Sequence, residues 1–244
     1  MLYLLRKKTS RLICSFLFIF SFLQSFDAYS QRTIFQEDHD NKPYYFGITL
    51  AGNLSRFQTS LHSHFLQQDS VMVAEPANAG GFALGLSATA RLSKRFEARF
   101  NPQLSFMDRT IFYKLRYEER GQGTDVVKKV ESVIVSFPVQ LKFNSDRIGN
   151  FRVYMLGGGK LDYDLASNAR ARKAEELVKI QKMDYGIEAG IGFNFYFQSF
   201  IFSPEIKISN GLGNIHSRDA DLKYSSVLDK MQSRMIVFSI HLEG

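Results

Sequence analysis

The stretch that most constrains this chain is residues 184–210, DYGIEAGIGFNFYFQSFIFSPEIKISN. Tyr185, Ile187, Ala189, Ile191, Phe193, Phe195 and Phe197 fall on one face of an extended segment, and Asp184, Gly186, Glu188, Gly190, Gly192 and Asn194 on the other. Gln198 and Ser199 turn the chain. Phe200, Phe202, Pro204, Ile206 and Ile208 then alternate with Ser203, Glu205, Lys207 and Ser209. A period of two, apolar against charge or glycine, belongs to a strand whose two faces meet different surroundings. Each arm exceeds the roughly 9–11 residues that a tilted strand needs to cross a bilayer. A soluble sandwich has the same alternation, so the argument for a membrane barrel rests on repetition.

The pattern does repeat. Residues 43–56, 80–92, 95–107, 131–144, 151–165 and 233–242 alternate in the same way. With the opening hairpin they make about eight strands, the smallest bacterial barrel size. Connections are long at 57–79, 108–130, 166–183 and 211–232 and short between the other strands. Outer-membrane barrels carry long outer loops and short periplasmic turns. The expected fold is therefore all-β: an eight-stranded antiparallel transmembrane β-barrel with both termini periplasmic. Phe96, Phe143, Phe151, Phe195, Phe197, Phe200 and Phe202 gather beside the short turns as an aromatic girdle. Alternation in 110–117 predicts a hairpin that continues beyond the bilayer, with Gly121-Gln122-Gly123 at its tip.

Residues 1–30 read as a cleaved signal peptide. Arg6, Lys7, Lys8 and Arg11 precede an apolar run over 12–26, and Ala28-Tyr29-Ser30 places small residues where a signal peptidase reads. Residues 31–42 read as a loose periplasmic leader and 43–244 as the barrel. Cys14 is the one cysteine; no small residue just before it marks a lipoprotein. The mature chain thus lacks thiol chemistry. No later segment is apolar for the ~18 residues of a spanning helix. Export without hydrophobic helices points to the outer membrane of a Gram-negative cell, since closed barrels are the sheets that satisfy their backbone in lipid.

An eight-strand barrel is just wide enough to be filled by its own side chains. The inward positions carry both signs: Arg91, Glu97, Arg99, Lys142, Arg152, Lys160, Asp162, Asp164, Glu188, Glu205 and Lys207. Each needs a partner in a dry lumen, which predicts an internal charge network and no continuous pore. Pro102, Pro138 and Pro204 each predict a bulge or a gap in the ladder.

Catalytic chemistry is thin. Gly157-Gly158-Gly159 lacks the spacing and context of a phosphate loop. His62 and His64 near Asp69 and Ser70, and His216 near Asp219, sit in outer loops, where some small barrel enzymes keep their His, Asp and Ser. Nothing fixes a base against a nucleophile, and His62-x-His64 supplies two metal ligands without a third. No enzymatic activity, cofactor, metal, small-molecule substrate or nucleic acid is expected. Two surfaces offer docking sites: the basic third loop with Arg170, Arg172 and Lys173, and the fourth loop with Leu222, Val227, Leu228 and Met231 at helix-like spacing.

Longer runs add a family likeness. They are SDR-I-N in the turn at 145–150, YMLGGGKLDYDLASNARARKAEELVKI, DYGIEAGIGFNFYF, FSPEIKISNGLGN, SSVLDKMQSRMIVFS and, near the start, DNKPYYFGITLAGN. Together they resemble the PorT/SprT family of outer-membrane barrels, in loop residues as well as in alternation. The resemblance is weakest in 57–79 and 108–130. It implies an accessory, non-enzymatic component of the type IX secretion system, which exports proteases, adhesins and gliding proteins. Its implied partners are outer-membrane lipid and other components of that system. The rivals are a stand-alone structural or adhesive barrel, a barrel enzyme modifying lipid or acting on peptide, and a small porin. The chain ends His241-Leu242-Glu243-Gly244, without the terminal aromatic of many barrels.

Overall fold

In the computed structural model, described over residues 33–62, 71–117, 123–166, 180–217 and 227–244, the alternating segments are strands. They are β1 (Tyr44–Leu61), β2 (Val71–Ala77), β3 (Ala79–Arg91), β4 (Phe96–Phe100), β5 (Gln103–Leu115), β6 (Asp125–Asn144), β7 (Phe151–Asp164), β8 (Met183–Tyr196), β9 (Ile201–Gly211) and β10 (Leu228–Glu243). β2 and β3 are parted only by Asn78, and both pair with β5, so they form one stave of the wall. β4 and β5, parted by Asn101-Pro102, both pair with β6 and form another. The ten segments thus make a ring of eight staves. Every neighbour is antiparallel, and β1 closes the ring by pairing with both β10 and β3.

The prolines interrupt the ladder as proline must. Pro102 lies in the break between β4 and β5, and Pro138 of β6 lies across from that break, where pairing passes from Phe100↔Val139 to Gln103↔Ser136. Beside Pro204 the β8–β9 ladder skips from Gly192↔Glu205 to Phe195↔Phe202. Gly158 shows why one inward position in this wall has no side chain: an added Cβ would run into the Val139 carbonyl oxygen of β6.

Outward residues are apolar and exposed, among them Phe46, Ile48, Leu50 and Leu54 on β1 and Ile236 and Phe238 on β10. The intervening residues are buried. A wall with apolar side chains outside and charged ones inside is the reverse of a soluble domain, and it suits hydrocarbon surroundings. At the end carrying the short turns, Phe96 and Phe143 lie 5.2 Å apart, Phe151 and Phe195 5.2 Å, and Phe197 and Phe200 5.1 Å, ring centre to ring centre.

Two expectations of loop structure are corrected. Residues 57–79 are not simply a polar loop: β1 runs on to Leu61, and β2 occupies Val71–Ala77. β10 likewise begins at Leu228 rather than 233. β2 has no regular period of two, since its register shifts between Val71 and Val73. β1 and β10 share another cause: beyond the apolar belt they still alternate, but their polarity inverts. Arg56 and Gln58 face out while Phe57 faces in, exposed 0 %, so the belt pattern ends where the strand does not. β5 and β6 continue as the extended hairpin expected, paired as far as Lys114↔Asp125. Its Gly121-Gln122 tip lies outside the described residues.

The leader is corrected too. Glu37–Asn41 forms a 3-10 helix that brings His39 to 3 % exposure. The segment is held by charge: Asp40 pairs with Arg147 at 3.4 Å and Arg152 at 3.1 Å. Arg91 Nη1 donates to the His39 carbonyl at 2.8 Å, and Arg147 donates to the Phe35 carbonyl. These residues lie over the turn end of the lumen, which a loose leader would leave open.

Candidate functional site in the lumen and its two lids

The lumen is built from the inward residues of all eight staves. The structure places every charge named from the sequence there. Glu97, Arg99, Lys142, Lys160, Asp162, Asp164, Glu188, Glu205 and Lys207 are buried. Arg91 and Arg152, nearest the turn end, keep 12 % and 11 % of their side-chain surface.

The middle layer is the tightest. Arg99 Nη2 meets Glu205 Oε2 at 2.5 Å, and neither side chain has accessible surface. The same carboxylate oxygen accepts from the Tyr154 hydroxyl at 2.9 Å and lies 3.5 Å from His241 Nε2. Arg99 Nε donates to Gln140 Oε1 at 2.6 Å, and the Gln140 amide donates to Glu188. Lys207 pairs with that Glu188 at 3.4 Å. One chain of contacts therefore runs through the lumen from Glu205 on β9 to Arg99 on β4, Gln140 on β6 and Glu188 on β8, and returns to β9 at Lys207. Register supplies part of the design: Arg99 lies beside Gln140 on the neighbouring stave, whereas Glu205 reaches it from across the barrel.

Toward the turn end, Glu97 meets Arg91 at 3.1 Å and Lys142 at 3.6 Å and accepts from the Tyr45 hydroxyl at 2.9 Å. Lys142 also sits 4.2 Å over the Tyr154 ring. Farther toward the turn end lies His39, its ring centre 4.6 Å from that of Tyr45 and its two nitrogens without hydrogen-bond partners among the described residues. Burial, with the Arg91 cation nearby, lowers its pKa to about 4, so the ring is neutral.

Toward the loop end, Lys160 meets Asp162 at 2.5 Å and Arg109 meets Asp164 at 3.4 Å. Arg109 Nη2 donates to Ser132 Oγ at 2.6 Å, and the guanidinium lies 4.7 Å over the Phe57 ring. The gap bounded by Arg109, Asp162, Asp164 and Asp184 offers about 10 Å³, room for one water. Beyond it an apolar cap closes the lumen, including Phe57, Ile111, Leu115, Ile180, Val227 and Met231.

That cap corrects one sequence reading. Val227, Leu228 and Met231 are not on a docking surface: each is 0 % exposed and packs in the cap. Their helix-like spacing came from a segment that is partly strand β10. Arg170, Arg172, Lys173 and Leu222 lie outside the described residues. So do His64, Asp69, Ser70 and Asp219. His216 is buried and bridges to Ile180, and His62 lies just past β1 with its backbone N–H bonded to the Val227 carbonyl. Among the described residues no three His, Cys, Asp or Glu gather as a metal site.

Alternation also turns Tyr154 inward, where the structure has it buried; the sequence reading missed Arg109, Tyr45, His39 and His241. Arg109 keeps the parity of Arg99 through Asn101, Gln103, Ser105 and Met107, so alternation alone carried the signal. His39 had none, because a 3-10 turn outside the strands has no period of two.

A water-filled channel would leave lumen side chains accessible to water. Here Arg99, Lys142, Tyr154 and Lys207 are all within 1 % of complete burial. A closed antiparallel ring with an apolar exterior and a packed, charged interior defines a transmembrane β-barrel of the filled type. The chain belongs to the outer membrane protein beta-barrel domain family, whose family model matches residues 30–217. No curated protein matches it. It is similar in structure to Neisserial surface protein A, at 11 % identity and TM-score 0.40, over 81 % of this chain and 96 % of that one. It is similar also to OprG of Pseudomonas aeruginosa, at 15 % identity and TM-score 0.40, over 81 % and 93 %. Ail of Yersinia pestis, solved with the heparin analogue sucrose octasulfate, follows at 10 % identity and TM-score 0.37, over 83 % and 100 %.

Proposed function

We propose that this outer-membrane barrel is an accessory component of the type IX protein secretion system, needed for export and acting by assembly with other components. The observation that carries the reading is the packed lumen. A barrel with side chains as buried as those of Arg99 and Lys207 has no room to pass a protein, so its work falls to its outer wall and its loops. The runs resembling the PorT/SprT family, which include loop as well as strand residues, supply the particular system. In this reading the termini and short turns are periplasmic and the long loops external. The basic segment with Arg170, Arg172 and Lys173, and Leu222 in the fourth loop, are the docking residues that remain.

The test is deletion of the gene in its own host, with extracellular protease and surface adhesin assayed and the mature barrel re-supplied. Cargo held inside the cell and released on complementation supports the role. Unchanged export leaves a stand-alone structural barrel.

A further inference from the structure

The outer wall carries a feature that neither the lumen nor the secretion reading uses. Arg56 of β1 and Arg234 of β10 are direct cross-strand partners, and both face outward and are exposed. Like charges directly opposite each other destabilise a sheet unless an anion lies between them. Among the described residues neither arginine is in an ion pair. On either side the row continues with Asn78, exposed between β2 and β3, and with Asn210, the β9 partner of Arg234.

This row sits at the upper edge of the apolar belt. The outward residues just below it are Leu54, Ile236 and Ile208, each 47 % exposed or more. From Arg234 to Gly244, β10 climbs roughly 25 Å of barrel height at the usual rise and tilt, which is the height of an outer-membrane apolar band. The arginines therefore stand at the level of lipid headgroups on the loop side. Between them the wall is hollowed. Leu54, Ile208 and Ile236 line the bottom of a surface recess of about 270 Å³, and Arg56, Asn78 and Arg234 line the top. The outward glycines Gly52 and Gly80 flank Leu54, and nothing lies within 4 Å of where their Cβ atoms would be. Apolar below and doubly cationic above, the recess has the polarity of a phospholipid lying along the wall.

We infer that Arg56 and Arg234 form a binding site for the phosphate of a membrane lipid, with its acyl chains running down the recess past Leu54 and Ile236. Two guanidiniums side by side present paired N–H donors that match phosphate oxygens. The anion also removes the repulsion between them. This inference rests on the barrel and its belt, and not on the secretion role.

The test uses the purified mature barrel in neutral detergent, with native mass spectrometry reading bound lipid. Phosphatidylglycerol is titrated against diacylglycerol of the same chains and against inorganic phosphate. The wild type is expected to bind one phosphatidylglycerol and no diacylglycerol. The Arg56→Gln/Arg234→Gln variant should bind roughly tenfold more weakly or worse, given the strength of charge-assisted hydrogen bonds. Heat-modifiable migration verifies that the variant is folded, and Arg56→Lys/Arg234→Lys, which keeps the charge, should retain part of the affinity. Undiminished binding by the glutamine variant overturns the proposal. So does displacement of the lipid by millimolar inorganic phosphate, which would make this a free-anion site.

Discussion

Replacing Glu205 by leucine would ask how dry the lumen is. Among the described residues Glu205 is the carboxylate in direct contact with Arg99, Tyr154 and His241, with Glu243 acting on all three from farther off, and Arg99 has no accessible surface. Glu205→Leu leaves the guanidinium with Gln140 Oε1 at 2.6 Å, a neutral acceptor, as its remaining polar contact in that layer. Stranding a buried cation in this way costs about 3–5 kcal/mol. The Arg99→Met/Glu205→Leu double variant removes the cation as well, and swaps of this kind are often near neutral. It should cost no more than about half of the single variant, allowing about 1 kcal/mol each for the hydrogen bonds Tyr154 and Gln140 lose. Urea unfolding in lipid vesicles reads this directly. Tyrosine fluorescence serves as the probe, since the chain has 11 tyrosines and no tryptophan. If Glu205→Leu costs under about 1 kcal/mol, water solvates Arg99 and the packed-lumen argument fails. It fails too if the double variant costs the sum of the two single ones.

Three further outcomes follow from the same packing. His39 is neutral in its docked position, with a pKa lowered from 6.5 to about 4. Above pH 6.5 docking does not depend on its charge. As pH falls from there toward 4, the undocked ring takes up a proton that the docked ring refuses, weakening docking by up to about 3 kcal/mol. Amide exchange over residues 37–42 should speed up across that window, and His39→Phe should flatten the response. Gly158→Ala should cost roughly 1–3 kcal/mol in the same urea assay, because its Cβ meets the Val139 backbone, while Gly157→Ala on the lipid face should be nearly silent. Met231→Asp should loosen the apolar cap, exposing the loop-end hairpins to protease while the belt strands stay protected, because it buries an unpaired carboxylate at a fully buried position.

The wall is legible in the sequence because one rule governs it. Inside the belt, every second residue faces lipid, so alternation alone marks Glu97 and Lys142, which pair across two staves, as inward charges. Alternation does not show which charges meet. Arg99 and Glu205 are 106 positions apart and meet across the lumen, a distance set by barrel width and shear rather than by local pattern. The rule also stops at the belt edge. Above Arg56, β1 and β10 turn polar residues out and apolar ones in, so Phe57 looks like loop and Val227, Leu228 and Met231 look like an exposed face, while β2 lacks a regular period of two. The lid made by His39 is invisible for a third reason: its burial depends on Arg91, Arg147 and Arg152, all distant in sequence.

Conductance across a planar bilayer tests the central claim most directly. The refolded mature barrel, inserted at known density, should leave the membrane at its bare conductance over a wide range of salt and voltage. Steady single-channel steps that scale with salt concentration would mean an aqueous path past Arg99 and Glu205. The barrel would then be a small porin, and a function confined to its wall and loops would be wrong.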